Sequence, residues 1–176
     1  MKKNISILAV FILTIVFAND INAQEFKEMD VSPMDVSSFP DTFRNSDKVM
    51  KITYSRPQLK GRNLEKLVPA GKVWRLGANE AAEVTFYKEV TFGGKAVKAG
   101  TYTMYAIPGE KEWTIVLSSQ LNVWGAYFHK KENDVVRVKG TVSKSEQTIE
   151  AFSIAYDKDM TVYFGWGTTI VSVPVK

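Results

Sequence analysis

Between Tyr54 and Glu83 the chain gathers three arginines, Arg56, Arg62 and Arg75, with Lys60, an Asn79-Glu80 pair, Tyr54 and Trp74. Guanidinium forks hold carboxylates, phosphates or sugar hydroxyls through paired hydrogen bonds, and an aromatic face beside them stacks on a flat or sugar-ring ligand. The candidate binding residues are therefore Tyr54, Arg56, Arg62, Trp74, Arg75, Asn79 and Glu80. The competing reading is structural: Arg56 or Arg75 pairs with Glu80 or Glu83 and pins a loop across the mouth of the fold.

Carboxylates suggest a second chemistry. A glycosidase needs two, one protonated and one ionised, and Glu80, Glu83 and Asp134 are the candidates. Three residues apart on a strand, Glu80 and Glu83 would point to opposite faces, so that pair requires Gly77-Ala78-Asn79 to be a loop. His129 is the sole histidine, in a stretch that turns from aromatic to charged. It suits a general base, but no Gly-x-Ser-x-Gly motif accompanies it, and the bland reading is an exposed hairpin residue. No Asp-x-Asp-x-Asp loop is present, and with no cysteine the thiolate metal sites, thiol nucleophiles and disulfide frameworks are excluded. No catalytic residue, metal ligand set or cofactor is assigned. Among the four tryptophans, Trp124, beside Gly125 and Tyr127, is the one suited to line a sugar-stacking groove, whereas the others read as core.

These residues need an address and a scaffold. Met1-Lys2-Lys3, the apolar run from Ile5 to Ala18, and Ile21-Asn22-Ala23 before Gln24 have the form of a secretory signal peptide cleaved near Ala23. The apolar run is shorter than the ~20 residues a spanning helix needs, so the mature protein is expected in a periplasm or outside the cell and not across a membrane. The net charge of +4 becomes +3 without the leader, 23−2 basic against 19−1 acidic residues. Basic and acidic residues alternate along the chain, which argues against a nucleic-acid partner.

From Gln24 to Lys48 no periodicity is sustained, and residues 24–48 are expected as an irregular arm. Beyond it, runs of Val, Ile, Thr, Tyr, Phe and Trp divided by Gly, Pro and Asn predict strands near 49–55, 72–76, 82–88, 90–92, 101–107, 112–117, 135–142, 149–156, 161–166 and 169–175. Gly93-Gly94 marks a hairpin turn, and Asn63 to Val68 makes a helical turn or two before Pro69. Residues 49–176 are thus expected to form a single all-β domain, an antiparallel two-sheet β-sandwich of jelly-roll type, with a closed barrel as the second choice.

Tyr54-Ser55-Arg56-Pro57, Lys60-Gly61-Arg62, Leu67-Val68-Pro69 and the string Gly71-Lys72-Val73-Trp74-Arg75-Leu76-Gly77-Ala78-Asn79-Glu80-Ala81 together resemble the signature of the bacterial family called domain of unknown function 2911. Gly94-Lys95, Ala99-Gly100-Thr101-Tyr102, Ile107-Pro108-Gly109, Glu112-Trp113, Trp124-Gly125-Ala126-Tyr127 and Asp134-Val135-Val136-Arg137-Val138 continue the likeness. The resemblance implies an exported single-domain protein and supplies no catalytic residue. Ala70 departs from it, standing where a larger aromatic is expected at the rim of a pocket. The functional expectation is a non-enzymatic binding module for a polar, anionic or carbohydrate-like small ligand or glycan. A carboxylate-pair hydrolase and an envelope module that meets another protein are the alternatives.

Overall fold

The computed structural model describes residues 26–176, so the expected leader, residues 1–23, lies outside the described residues. No helix among the described residues is long and apolar enough to cross a membrane. The described residues are all-β, with nine strands: β1 (Met34–Phe39), β2 (Met50–Ser55), β3 (Glu83–Phe86), β4 (Val90–Phe92), β5 (Lys95–Val97), β6 (Gly100–Ile107), β7 (Glu112–Ser118), β8 (Asp134–Tyr156) and β9 (Val162–Val173). A short helix, α1 (Leu64–Leu67), starts where the Asn63 side chain accepts the Glu65 N–H and stops ahead of Pro69, as expected.

Seven strands form one antiparallel sheet in the order β1-β2-β3-β6-β7-β8-β9, curled into a half-barrel, and β4-β5 is a separate hairpin turning at Gly93-Gly94. The expected pair of facing sheets is thereby corrected: hydrogen bonds join the main strands into one sheet. The long strands are the reason. Expected strands 135–142 and 149–156 are a single 23-residue β8, because the polar run Ser143 to Gln147 contains no glycine or proline to end it. It bends through register shifts between Lys144 and Ser153, and expected strands 161–166 and 169–175 likewise merge into β9.

The far half of β8 then meets the chain leaving β2. Phe152 N–H donates to Pro57 O at 2.9 Å and Leu59 N–H to Glu150 O at 2.9 Å. The β4 hairpin is held at the other end of the sheet by Thr91 and Lys176, which exchange N–H···O bonds of 2.7 and 2.9 Å.

The N-terminal arm is also corrected. Residues 34–39 are not irregular but pair along their whole length with β2. By contrast, expected strand 72–76 is reduced to one isolated antiparallel bridge, Trp74 with Ala106, since the backbone turns at once through Leu76 and Gly77.

Alternation along β6 sends Met104 and Ala106 into the main core, while Thr103 and Tyr105, on the opposite face, are equally buried. That face carries a second small core of Ala81, Tyr105 and Val116. The main core holds an aromatic cluster in which Trp74 stacks on Trp166 (5.6 Å between centroids, 17° between planes) and meets Phe152 and Trp113 edge-on.

Candidate functional site

The segment from Arg75 to Ala82 is a loop closed at its neck. Trp74 N–H donates to Ala106 O at 2.7 Å, and Ala82 N–H donates to Arg75 O at 3.0 Å. Within it Leu76 (φ 50°), Gly77 (φ 156°) and Asn79 (φ 58°) all take positive φ. A non-glycine residue held there costs about 1–3 kcal/mol, and such strain persists only where surrounding contacts over-determine it. Two contacts do so. The Trp74 indole N–H donates to Gly77 O at 3.2 Å, and a Cβ on Gly77 would lie 3.0 Å from Ser55 O.

On one side of this turn lies a cavity of about 170 Å³ lined by Arg62, Arg75, Gly77, Trp74, Trp166 and Ser32 among others. Arg62 donates to Leu59 O (2.9 Å) and Gln58 O (2.6 Å), which fixes its fork while spending only two of its five N–H groups. Arg75 differs: its Nε is buried with no acceptor, and it forms no ion pair among the described residues. A buried N–H without an acceptor is costly, and the Arg75 Nε–H is left as an unsatisfied donor.

The other expected residues do not join this pair. Arg56 faces the sheet closure, donating to Phe152 O (3.1 Å), Ser153 Oγ (2.8 Å) and Asp35 Oδ2 (3.1 Å). It is a clamp, as the structural reading of the cluster held, but its carboxylate is Asp35 from β1 and neither Glu80 nor Glu83. Tyr54 is buried, accepts the Ile154 N–H at 3.1 Å, and has its phenol pushed up chiefly by burial, with Asp35 adding to the shift. Trp74 is core. Asn79 contributes its backbone carbonyl, which accepts the Gly125 N–H at 2.9 Å.

Glu80 and Glu83 line a second cavity, of about 180 Å³, on the other side of the turn, with Met34, Thr53, Ser55 and Asn122. The loop that the carboxylate pair requires is present. Glu83 Oε1 accepts the Asn122 N–H at 2.7 Å, while Glu80 is exposed. Asp134 is occupied elsewhere: His129 Nε2 lies 2.8 Å from its Oδ1, Arg137 Nε donates to its Oδ2 at 2.7 Å, and the His129 and Asp134 side chains are only 9% and 5% exposed. That corrects the reading of His129 as an exposed hairpin residue and removes Asp134 as a partner for Glu80. The Tyr105 ring lies edge-on to His129, and its buried hydroxyl has no partner. Burial, then the charges of Asp134 and Glu83, push that phenol up.

The family profile of "Protein of unknown function (DUF2911)" matches residues 32–175. The chain belongs to this family. The match begins just ahead of β1, so the strand that brings Asp35 to Arg56 falls within the DUF2911 region. No curated protein and no solved structure matches the chain.

Several contributors could not be read from spacing. Trp166, Ser32, Met34 and Asn122 come from distant parts of the chain and are brought in by the curl of the sheet and by β1. Ala70, where the departure from the DUF2911 pattern was noted, lines a separate groove of about 400 Å³ with Leu64, Val68 and Trp113. No cluster of metal-ligating side chains occurs among the described residues.

Proposed function

We propose that this protein is a binding module for a small anionic ligand, a carboxylate-, sulfate- or phosphate-bearing group of about one sugar ring, taken between Arg75 and Arg62. The unpartnered Arg75 guanidinium carries this reading. The cavity presents two cations and no carboxylate, with Trp74 and Trp166 at its wall. Its volume of about 170 Å³ suits a single acidic group with a few attached atoms rather than a drug-sized molecule. The strained Leu76–Asn79 turn supports the same reading, because backbone strain collects at ligand clamps. The leader-like residues 1–23 support an exported protein, periplasmic or secreted.

A hydrolase with Glu80 and Glu83 is the second reading, favoured by their shared cavity. It is weakened because Glu80 is exposed and Glu83 accepts a backbone N–H. Neither sits in the apolar pocket that a general acid needs.

A thermal-shift titration with sulfate, phosphate, glucuronate, galacturonate and glucose 6-phosphate tests the proposal. At a hundred times its dissociation constant a ligand adds about 2.7 kcal/mol to stability. At least one anion should raise the melting temperature of the wild type and leave Arg75→Ala, itself folded, unmoved. No shift with any of them, or a shift that survives Arg75→Ala, overturns it.

A further inference from the structure

The loop that follows β7 exposes Leu121, Trp124 (56%), Tyr127 (82%) and Phe128 (63%) within eight residues. It is not loose. Ala81 N–H donates to Val123 O and Gly125 N–H to Asn79 O, both at 2.9 Å, and Glu83 holds the Asn122 N–H. At its far end the His129–Asp134 contact ties it to β8. Gly125, at φ 68°, carries the Tyr127 ring against its backbone: a Cβ there would lie 2.7 Å from Tyr127 Cε2. Trp124 and Tyr127 are thus both exposed on a loop whose backbone is tied to the neighbouring turn, and a tethered backbone lowers the ordering cost of binding.

What lies beside this platform selects its partner. Trp124 is bridged by its backbone to Glu80, and Glu80, Glu83 and Asn122 line the second cavity with Ser55 and Thr53. Ionised carboxylates only accept hydrogen bonds, so this cavity takes donors and repels anions. We propose that Trp124 and Tyr127, with the Glu80–Glu83 cavity, form a binding surface for an uncharged glycan chain. Sugar C–H faces lie on the indole and phenol rings, and hydroxyls of a neighbouring sugar unit donate to Glu80 and Glu83. The exposed charges beside the platform are mixed, Glu80 and Glu132 against Lys130 and Lys131, and give no net attraction for an anionic lipid surface. The proposal is independent of the Arg75 site: it uses another cavity and an opposite charge preference.

Calorimetric and tryptophan-fluorescence titrations of the purified protein with cellohexaose, chitohexaose and maltohexaose test it. Vesicles of phosphatidylethanolamine and phosphatidylglycerol form a parallel sedimentation arm. At least one hexasaccharide should bind, and Trp124→Ala or Tyr127→Ala should weaken it by about tenfold or more without changing the melting temperature. Gly125→Ala should weaken it by displacing Tyr127. Phe43→Ala, which removes an aromatic 91% exposed in another loop, should bind as the wild type does. Absence of binding to all three sugars overturns the proposal, as does wild-type affinity in Trp124→Ala. Co-sedimentation with vesicles that Trp124→Ala abolishes, without sugar binding, assigns the loop to lipid instead.

Discussion

Arg56 and Arg75 lie nineteen positions apart in the same basic stretch, and the fold treats them in opposite ways. Arg56 spends its guanidinium on three acceptors from β1 and β8. Arg75, on the strained turn, leaves a buried N–H with nothing to bind. The same side chain is a clamp where two sheet regions converge on it and an unsatisfied donor where it lies beside a cavity. What separates the roles is the supply of acceptors, not the residue type or its neighbours in sequence.

The comparison breaks first if the turn loses its support. Trp74→Ala, which removes the centre of the aromatic cluster and the indole bond to Gly77, should cost about 3–5 kcal/mol in denaturant unfolding. A loss near zero would mean that Trp74 is a surface aromatic after all. Next comes Gly77→Ala, whose Cβ would press on Ser55 O at 3.0 Å. A loss of about 2 kcal/mol is expected, with anion binding weakened in step, since the displaced turn carries Arg75.

Arg56→Ala against Arg75→Ala sharpens the contrast directly. Arg56 and Asp35 are 36% and 42% exposed, so solvent screens their ion pair and most of the loss comes from the Phe152 and Ser153 hydrogen bonds. About 1–2 kcal/mol should go with Arg56, and less than about 0.5 with Arg75. Equal losses in urea melts would erase the distinction. The second core gives a change of opposite sign: Tyr105→Phe removes a buried hydroxyl without a partner and should gain about 1 kcal/mol near neutral pH.

That variant also tests a pH dependence. Burial raises the phenols of Tyr54, Tyr105 and Tyr156 in the folded chain. The unfolded chain therefore releases those protons first as pH rises. Their contribution is complete below the ordinary phenol range near pH 10 and is lost as pH climbs through the folded values. Alkaline melts should show stability falling above about pH 10, less steeply for Tyr105→Phe.

Legibility followed the range of the interactions. The β4–β5 hairpin, the capped turn at Asn63 and strands β6 and β7 were readable because glycine pairs, Asn caps and β-branched runs act over a few residues. β1 was missed because Met34 to Phe39 has a weak pattern of its own and becomes a strand by pairing with β2. The merged β8 and β9 were missed because polar residues in an outer stretch of a long hairpin look like a loop. Of the expected binding residues, Arg62, Arg75 and Trp74 line one cavity. Their near neighbours Arg56 and Tyr54 face the junction of β2 with β8, a contact across about a hundred residues that no local pattern announces.

The amino-acid sequence by itself determined the all-β class and the family, because alternation, turn residues and a long specific string are properties of adjacent residues. Only the tertiary structure decided which arginine is satisfied, that His129 and Arg137 share Asp134, and that Glu80 and Glu83 open on a different cavity from Arg75. Each of these depends on which acceptor the curl of the sheet delivers to a side chain, and that is settled by packing between strands far apart in the chain.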